Sequence, residues 1–99
     1  MPKKYTLNPQ AIKDLEDIYQ YSCNHWGEEQ AAQYIRDIDK AFISLTTNDK
    51  AGHDFSFVRP GLRAFHLKSH SIYYRLSNSG IVITRFLHHS MDSPQHLDK

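Results

Sequence analysis

A single cysteine, Cys23, stands in a chain of 99 residues. An internal disulfide is therefore excluded, and so is a zinc site built from several thiolates. No run approaches the roughly 20 apolar residues needed to cross a bilayer. The start, Met1-Pro2-Lys3-Lys4-Tyr5, carries charge without a following apolar stretch, so a secretion signal is not expected. Only four glycines are present, none arranged as a phosphate-cradling loop, and no Gly-x-Ser-x-Gly elbow occurs among the serines. Together these features predict a soluble, cytoplasmic protein without a membrane anchor. The length allows one domain, residues 1–99, with a modest core.

Acidic residues are missing from one part of the chain. The net charge is only +1, yet no Asp or Glu occurs between Phe55 and Met91, where Arg59, Arg63, Lys68, Arg75 and Arg85 stand with four histidines. A stretch of one sign suggests an anionic partner.

The periodicities divide the chain clearly. Tyr5-Thr6-Leu7 reads as a short strand, and Asn8-Pro9 as a helix start with Asn at the cap and Pro at the first helical position. Ala11, Ile12, Leu15, Ile18, Tyr19 and Ser22 follow at three/four spacing, with Lys13, Asp14, Glu16, Asp17 and Gln20 assigned to the outer face. Gly27 suits the helix end. Glu28-Glu29 opens a second helix whose stripe is Ala31, Tyr34, Ile35, Ile38, Phe42 and Leu45. A link of two or three residues makes the pair an antiparallel hairpin. Residues 46–61 lose the helical period and read as a loop, with a turn near Phe55-Ser56-Phe57. Strands are expected at Leu62–Lys68, Ser71–Leu76 and Ile81–His88, the last central, with a bulge near Arg85 able to shift its register. The predicted class is α+β: a short N-terminal strand and a two-helix hairpin packed on a mainly antiparallel sheet, in the order β-α-α-β-β-β. One sheet face is expected on the helices; the other reads as polar, basic and aromatic.

Catalytic chemistry is hard to build from these residues. Cys23 sits one step from the apolar stripe and packs there. His66 and His70 span a strand end and a turn, while His88 and His89 point to opposite faces, so neither pair has ligand geometry. The carboxylates lie mainly on helix exteriors. No catalytic residue, cofactor or metal is expected. The basic, aromatic sheet could hold RNA or equally grip an acidic protein segment, and the residue pattern leaves both open.

Several local patterns occur in a telling order. Trp26-Gly27 closes the hairpin, with Tyr34-Ile35 and Phe42 on the second helix. Arg59-Pro60-Gly61-Leu62-Arg63, Ile72-Tyr73-Tyr74-Arg75 and Ile83-Thr84-Arg85-Phe86-Leu87-His88-His89-Ser90-Met91-Asp92 follow. Across about residues 5–92 the chain resembles the ParE branch of the RelE/ParE superfamily of bacterial type II toxins. One departure is Asn48-Asp49, with Gly52 following, where relatives often carry Asn-Pro before a glycine. The resemblance implies a non-enzymatic toxin that binds DNA gyrase and stabilises its cleaved-DNA complex. It also implies a cognate antitoxin whose C-terminal segment folds across the toxin. The RelE alternative is a ribosome-dependent messenger-RNA endoribonuclease. Expected partner-binding residues are Trp26, Arg59, Arg63, Tyr73, Arg75, Arg85, His88 and Met91. Direct sequence-specific nucleic-acid binding is not expected, and residues 93–99 are expected to form a flexible tail.

Overall fold

The structure, a computed structural model, describes residues 4–78 and 80–88. Strand β1, Lys4–Leu7, ends where Asn8 takes two jobs. Its N–H donates to the Ile83 carbonyl at 3.1 Å, and its side-chain oxygen accepts from the Ala11 N–H at 2.9 Å. With Pro9 supplying a preset φ, helix α1 runs Pro9–Trp26. Gly27, at φ 91°, is at once the cap of α1 and the start of α2, Glu28–Thr47. One residue thus makes the turn, not the two or three expected. The positive φ suits glycine and lets the Gly27 N–H reach the Cys23 carbonyl while its own carbonyl accepts from Ala31.

Four further strands follow: β2 (His53–Asp54), β3 (Leu62–Leu67), β4 (His70–Ser77) and β5 (Gly80–His88). The order across the sheet is β1-β5-β4-β3-β2, with β1 parallel to β5 and every other pair antiparallel. The predicted α+β architecture is present. The two-residue β2 is an addition, too short for a sequence period to mark.

The bulge expected near Arg85 is there. Tyr73 pairs with Arg85 and Tyr74 with Ile83, leaving Thr84 as the extra residue. The Thr84 hydroxyl donates to the Tyr73 carbonyl at 3.1 Å, satisfying an acceptor beside the irregularity. The odd-to-even switch lets Ile81, Ile83 and then Phe86 all enter the core beneath the helices with Ala11, Ile38, Phe42, Leu45, Ile72 and Tyr74.

Three expectations need correction. Ile12 and Tyr19, assigned to the buried stripe of α1, are 45% and 41% exposed, because α1 meets the sheet along a narrower line through Ala11, Leu15, Ile18 and Ser22. Asp14, assigned to the outer face, turns inward. β1 stops opposite Ile83, so among the described residues no strand pairs with β5 on this side beyond that point, and Asp14 accepts the Phe86 N–H at 3.0 Å and Arg85 at 2.8 and 3.1 Å. The far sheet face is not simply polar either. Leu62, Ala64, Tyr73 and Leu87 form a second small core, covered by Phe55 and Val58 of the 55–61 loop.

That loop and the segment before it are tied down from the sheet. The Tyr74 hydroxyl donates to the Asp49 carbonyl at 2.9 Å and accepts the Gly52 N–H at 3.0 Å. Arg63 donates to the carbonyls of Lys50 and Gly52 at 3.0 and 2.6 Å. Gly52 is pressed so close that a Cβ there would lie 2.7 Å from both the Ala64 carbonyl oxygen and the Tyr74 hydroxyl. The glycine therefore answers to close packing. Among the described residues no helix is long and apolar enough to cross a membrane.

Candidate functional site

The helix hairpin, the β3–β4 turn and the end of β5 converge at one end of the molecule. Two clefts of about 240 and 530 Å³ adjoin there and share Trp26, Ser69 and His70. The first is completed by Gln30, Gln33, Tyr34, Asp37 and Lys68; the second by Asp17, Ile18, Tyr21, Ser22 and His88.

Local structure places each wall. The chain turns back at Gly27, and Trp26 and Tyr21, near the end of α1, are 56% and 55% exposed. They are nonetheless held: Tyr21 stacks on His25 with ring centres 3.8 Å apart and meets Trp26 edge-on at 5.9 Å. His25 Nδ1 lies 2.9 Å from the Tyr21 carbonyl. Opposite, Lys68 adopts a positive φ of 55°, which swings His70 back under α2. His70 Nδ1 lies 2.7 Å from the Tyr34 hydroxyl, its ring stacks on Phe86 at 5.0 Å, and the His88 ring stands perpendicular to it at 5.3 Å.

The electrostatics of the groove are mixed and local. The Lys68 ammonium sits 3.4 Å from Asp37 and 5.2 Å above the Tyr34 ring. Hydrogen bonding from Gln33, then from Lys68, holds the Asp37 carboxyl below its usual range. Burial, reinforced by Asp37, pushes the Tyr34 phenol up to about 12. Tyr34 is therefore a neutral hydrogen-bonding wall at physiological pH. Aromatic surface beside a lysine and exchangeable polar groups suits an amphipathic protein segment. Among the described residues no group of three His, Cys, Asp or Glu is placed to hold a metal ion.

The residues expected to meet partners fall in different places. Trp26 and His88 line the groove. Arg59 and Arg75 are exposed, away from it. Arg63 is turned into the structure as the anchor of the 50–52 backbone, with its Nε buried and without a hydrogen-bond partner. Tyr73 is fully buried, its ring meeting Phe55 edge-on at 5.7 Å, so it presents no surface in this fold. Arg85 is 11% exposed and spent on Asp14, which holds its guanidinium more firmly protonated than usual. The basic sheet surface expected from sequence is thus broken up. Met91 and the 93–99 segment lie outside the described residues.

Sequence reasoning did not single out Tyr21, Tyr34, Lys68 and His70 as one site. The available signal was an aromatic in the last turn of α1 and a basic turn after β3, but their meeting depends on the hairpin crossing.

Comparison with known proteins agrees with this architecture. Residues 5–93 match the sequence profile of the family described as ParE toxin of type II toxin-antitoxin system, parDE. The chain is 34% identical over 98 residues to Toxin ParE1 of Mycobacterium tuberculosis, covering 98% of this chain and all of that protein. It is 36% identical over 95 residues to Toxin ParE1 of Caulobacter vibrioides, covering 96% and 98% respectively. Among solved structures, a chain from "Chromosomal ParDE TA system from P. aeruginosa" superposes with a TM-score of 0.74 at 25% identity, covering 88% of this chain and 96% of that one. Hairpin, sheet order and near-full-length similarity point one way: the chain belongs to the ParE toxin family of type II toxin-antitoxin systems.

Proposed function

We propose that this protein is a toxin that acts by binding DNA gyrase and stabilising its cleaved-DNA complex, and that a cognate antitoxin neutralises it. The observation that carries the binding half is the groove: Trp26 and Tyr21 are more than half exposed yet fixed by stacking, opposite the Tyr34–His70 pair. An amphipathic antitoxin segment laid across it would bury the aromatic surface and reach Lys68 with a carboxylate. Family membership supports the gyrase half. The protein acts in the cytoplasm, where gyrase is found, and without catalytic turnover.

A ribonuclease reading draws on one observation, the two imidazoles 5.3 Å apart beside Lys68 and Tyr34. Purified protein added in parallel to gyrase supercoiling and to coupled translation separates the two. Inhibited supercoiling with intact message is the expected result. Message cleavage with unaffected gyrase would overturn the proposal.

A further inference from the structure

Helix α1 leaves large apolar side chains exposed outside its core line. Ile12, Tyr19 and Trp26 are 45%, 41% and 56% exposed, and they recur every seven residues. Exposed Glu16 and half-buried Cys23 fall between them. Steps of four and three alternate from 12 through 16, 19 and 23 to 26, which sets these five side chains in one line along the helix. Such spacing is that of a coiled-coil seam, here about 21 Å long at about 1.5 Å per residue. Ile12, Glu16, Tyr19 and Cys23 line neither cleft of the groove, so the seam shares only Trp26 with it. Hydrogen bonding with Cys23, the Cys23 charge and, more weakly, burial and Glu28 push the Tyr19 phenol above its ordinary value. Tyr19 is thus neutral and tied to its neighbour in the line, and Glu28 at the start of α2 is close enough to act on it.

The charges along the seam indicate what covers it. The hairpin, residues 9–47, holds seven carboxylates against three cations, Lys13, Arg36 and Lys40. Asp14, Asp17 and Asp37 are answered by Arg85, Lys13 and Lys68. Glu16, Glu28 and Glu29 enter no ion pair among the described residues. A polar residue inside a heptad seam weakens association with an apolar face and selects a partner whose facing residue answers it. Glu16 sits between Ile12 and Tyr19, and the answering residue is a lysine or arginine. The same acidic excess disfavours two copies of this face meeting, and equally a nucleic acid or an anionic lipid surface, since each brings negative charge against negative charge.

We infer that the line from Ile12 to Trp26 on α1 is a docking seam for a basic amphipathic helix of a partner protein, which sets a lysine or arginine against Glu16. The inference rests on the reading of the chain as a protein-directed toxin, but its test does not depend on the target being gyrase. Wild type, Tyr19→Ser, Glu16→Lys, Glu16→Gln and the control Gln20→Ala, on another face of α1, are induced in bacteria at matched protein levels, alone and with the antitoxin. Thermal melts check that each is folded. Tyr19→Ser and Glu16→Lys should each change, by at least about tenfold, either the toxin level that arrests growth or the antitoxin level that relieves it. Glu16→Gln should fall between Glu16→Lys and wild type, and Gln20→Ala should match wild type. Wild-type behaviour of both seam variants overturns the inference, as does a wild type that arrests nothing. An effect of Tyr19→Ser without one of Glu16→Lys removes the basic partner and overturns it too. Sedimentation of the purified proteins supplies the remaining check: a wild-type dimer that Tyr19→Ser dissociates assigns the seam to a second copy, against the inference. Supercoiling measured with wild type alone tests the gyrase reading separately. Arrest without gyrase inhibition sinks that reading, and the variant comparison still decides the seam.

Discussion

Replacing Asp14 by alanine removes the acceptor for three hydrogen bonds, two from Arg85 and one from the Phe86 N–H. Both side chains of the pair are 11% exposed. Removing one member of a pair so buried leaves the other charge orphaned, at a cost of about 3–5 kcal/mol. Arg85 lies near the open side of β5, where water can partly re-enter, so the lower end of that range, about 3 kcal/mol, is expected. For a domain of this size, with a total stability of about 5–15 kcal/mol, the loss is large. It corresponds to a fall in Tm of about 12–24 °C, at about 4–8 °C per kcal/mol. The companion variant Asp14→Ala/Arg85→Met removes the orphaned guanidinium and keeps apolar bulk. It should recover about 1–2 kcal/mol of the loss, the unpaired Phe86 N–H accounting for most of the remainder. Urea denaturation of wild type, both single variants and the double variant gives the coupling energy. A cost below about 1 kcal/mol for Asp14→Ala, the size of an exposed ion pair, would refute the claim that Asp14 closes the edge of β5.

Further predictions follow from other contacts. Tyr74→Phe strips the Gly52 N–H and the Asp49 carbonyl of their partner and should cost about 1–3 kcal/mol in denaturation. Gly52→Ala should speed amide hydrogen exchange across residues 49–63, because its Cβ cannot fit without moving the loop off Ala64. Trp26→Ala should leave Tm almost unchanged, since the side chain is 56% exposed, yet weaken antitoxin binding by about 2 kcal/mol in calorimetry. Equal affinity would remove Trp26 from the interface. Alkaline conditions should destabilise the fold. Burial pushes the Tyr5 and Tyr34 phenols from 10.0 up to about 12, with the Asp39 hydrogen bond adding to the effect at Tyr5. The unfolded chain then releases these protons first, so stability present below pH 10 is lost as pH rises from about 10 to 12. Urea midpoints measured across that window should fall, and fall less steeply in Tyr5→Phe; a flat profile contradicts the burial argument.

Much of the fold could be read directly from the residues. Asn8-Pro9, Gly27 and the two stripes mark the hairpin because capping and helical period are local properties. The strand alternation located β3, β4 and β5, and an apolar run on both sides marked β5 as central. Failures came where local pattern yields to tertiary contact. Asp14 looks like any outer-face carboxylate until β1 proves too short to cover β5. Tyr73 looks like a surface aromatic until Phe55 folds over it. Arg63, Arg75 and Arg85 share one charge in the sequence but serve different ends, because loop closure and an ion pair consume two of them. The groove was the least legible feature. It needs α1, α2, the Lys68 turn and β5 at once, and no spacing in the chain records that convergence.

The most direct test of the proposed activity is gyrase incubated with supercoiled plasmid and increasing amounts of this protein, followed by detergent and protease treatment. Linear plasmid should accumulate with toxin concentration and disappear when the antitoxin is added first. Undiminished supercoiling, with no linear product at well-folded micromolar protein, would contradict the account.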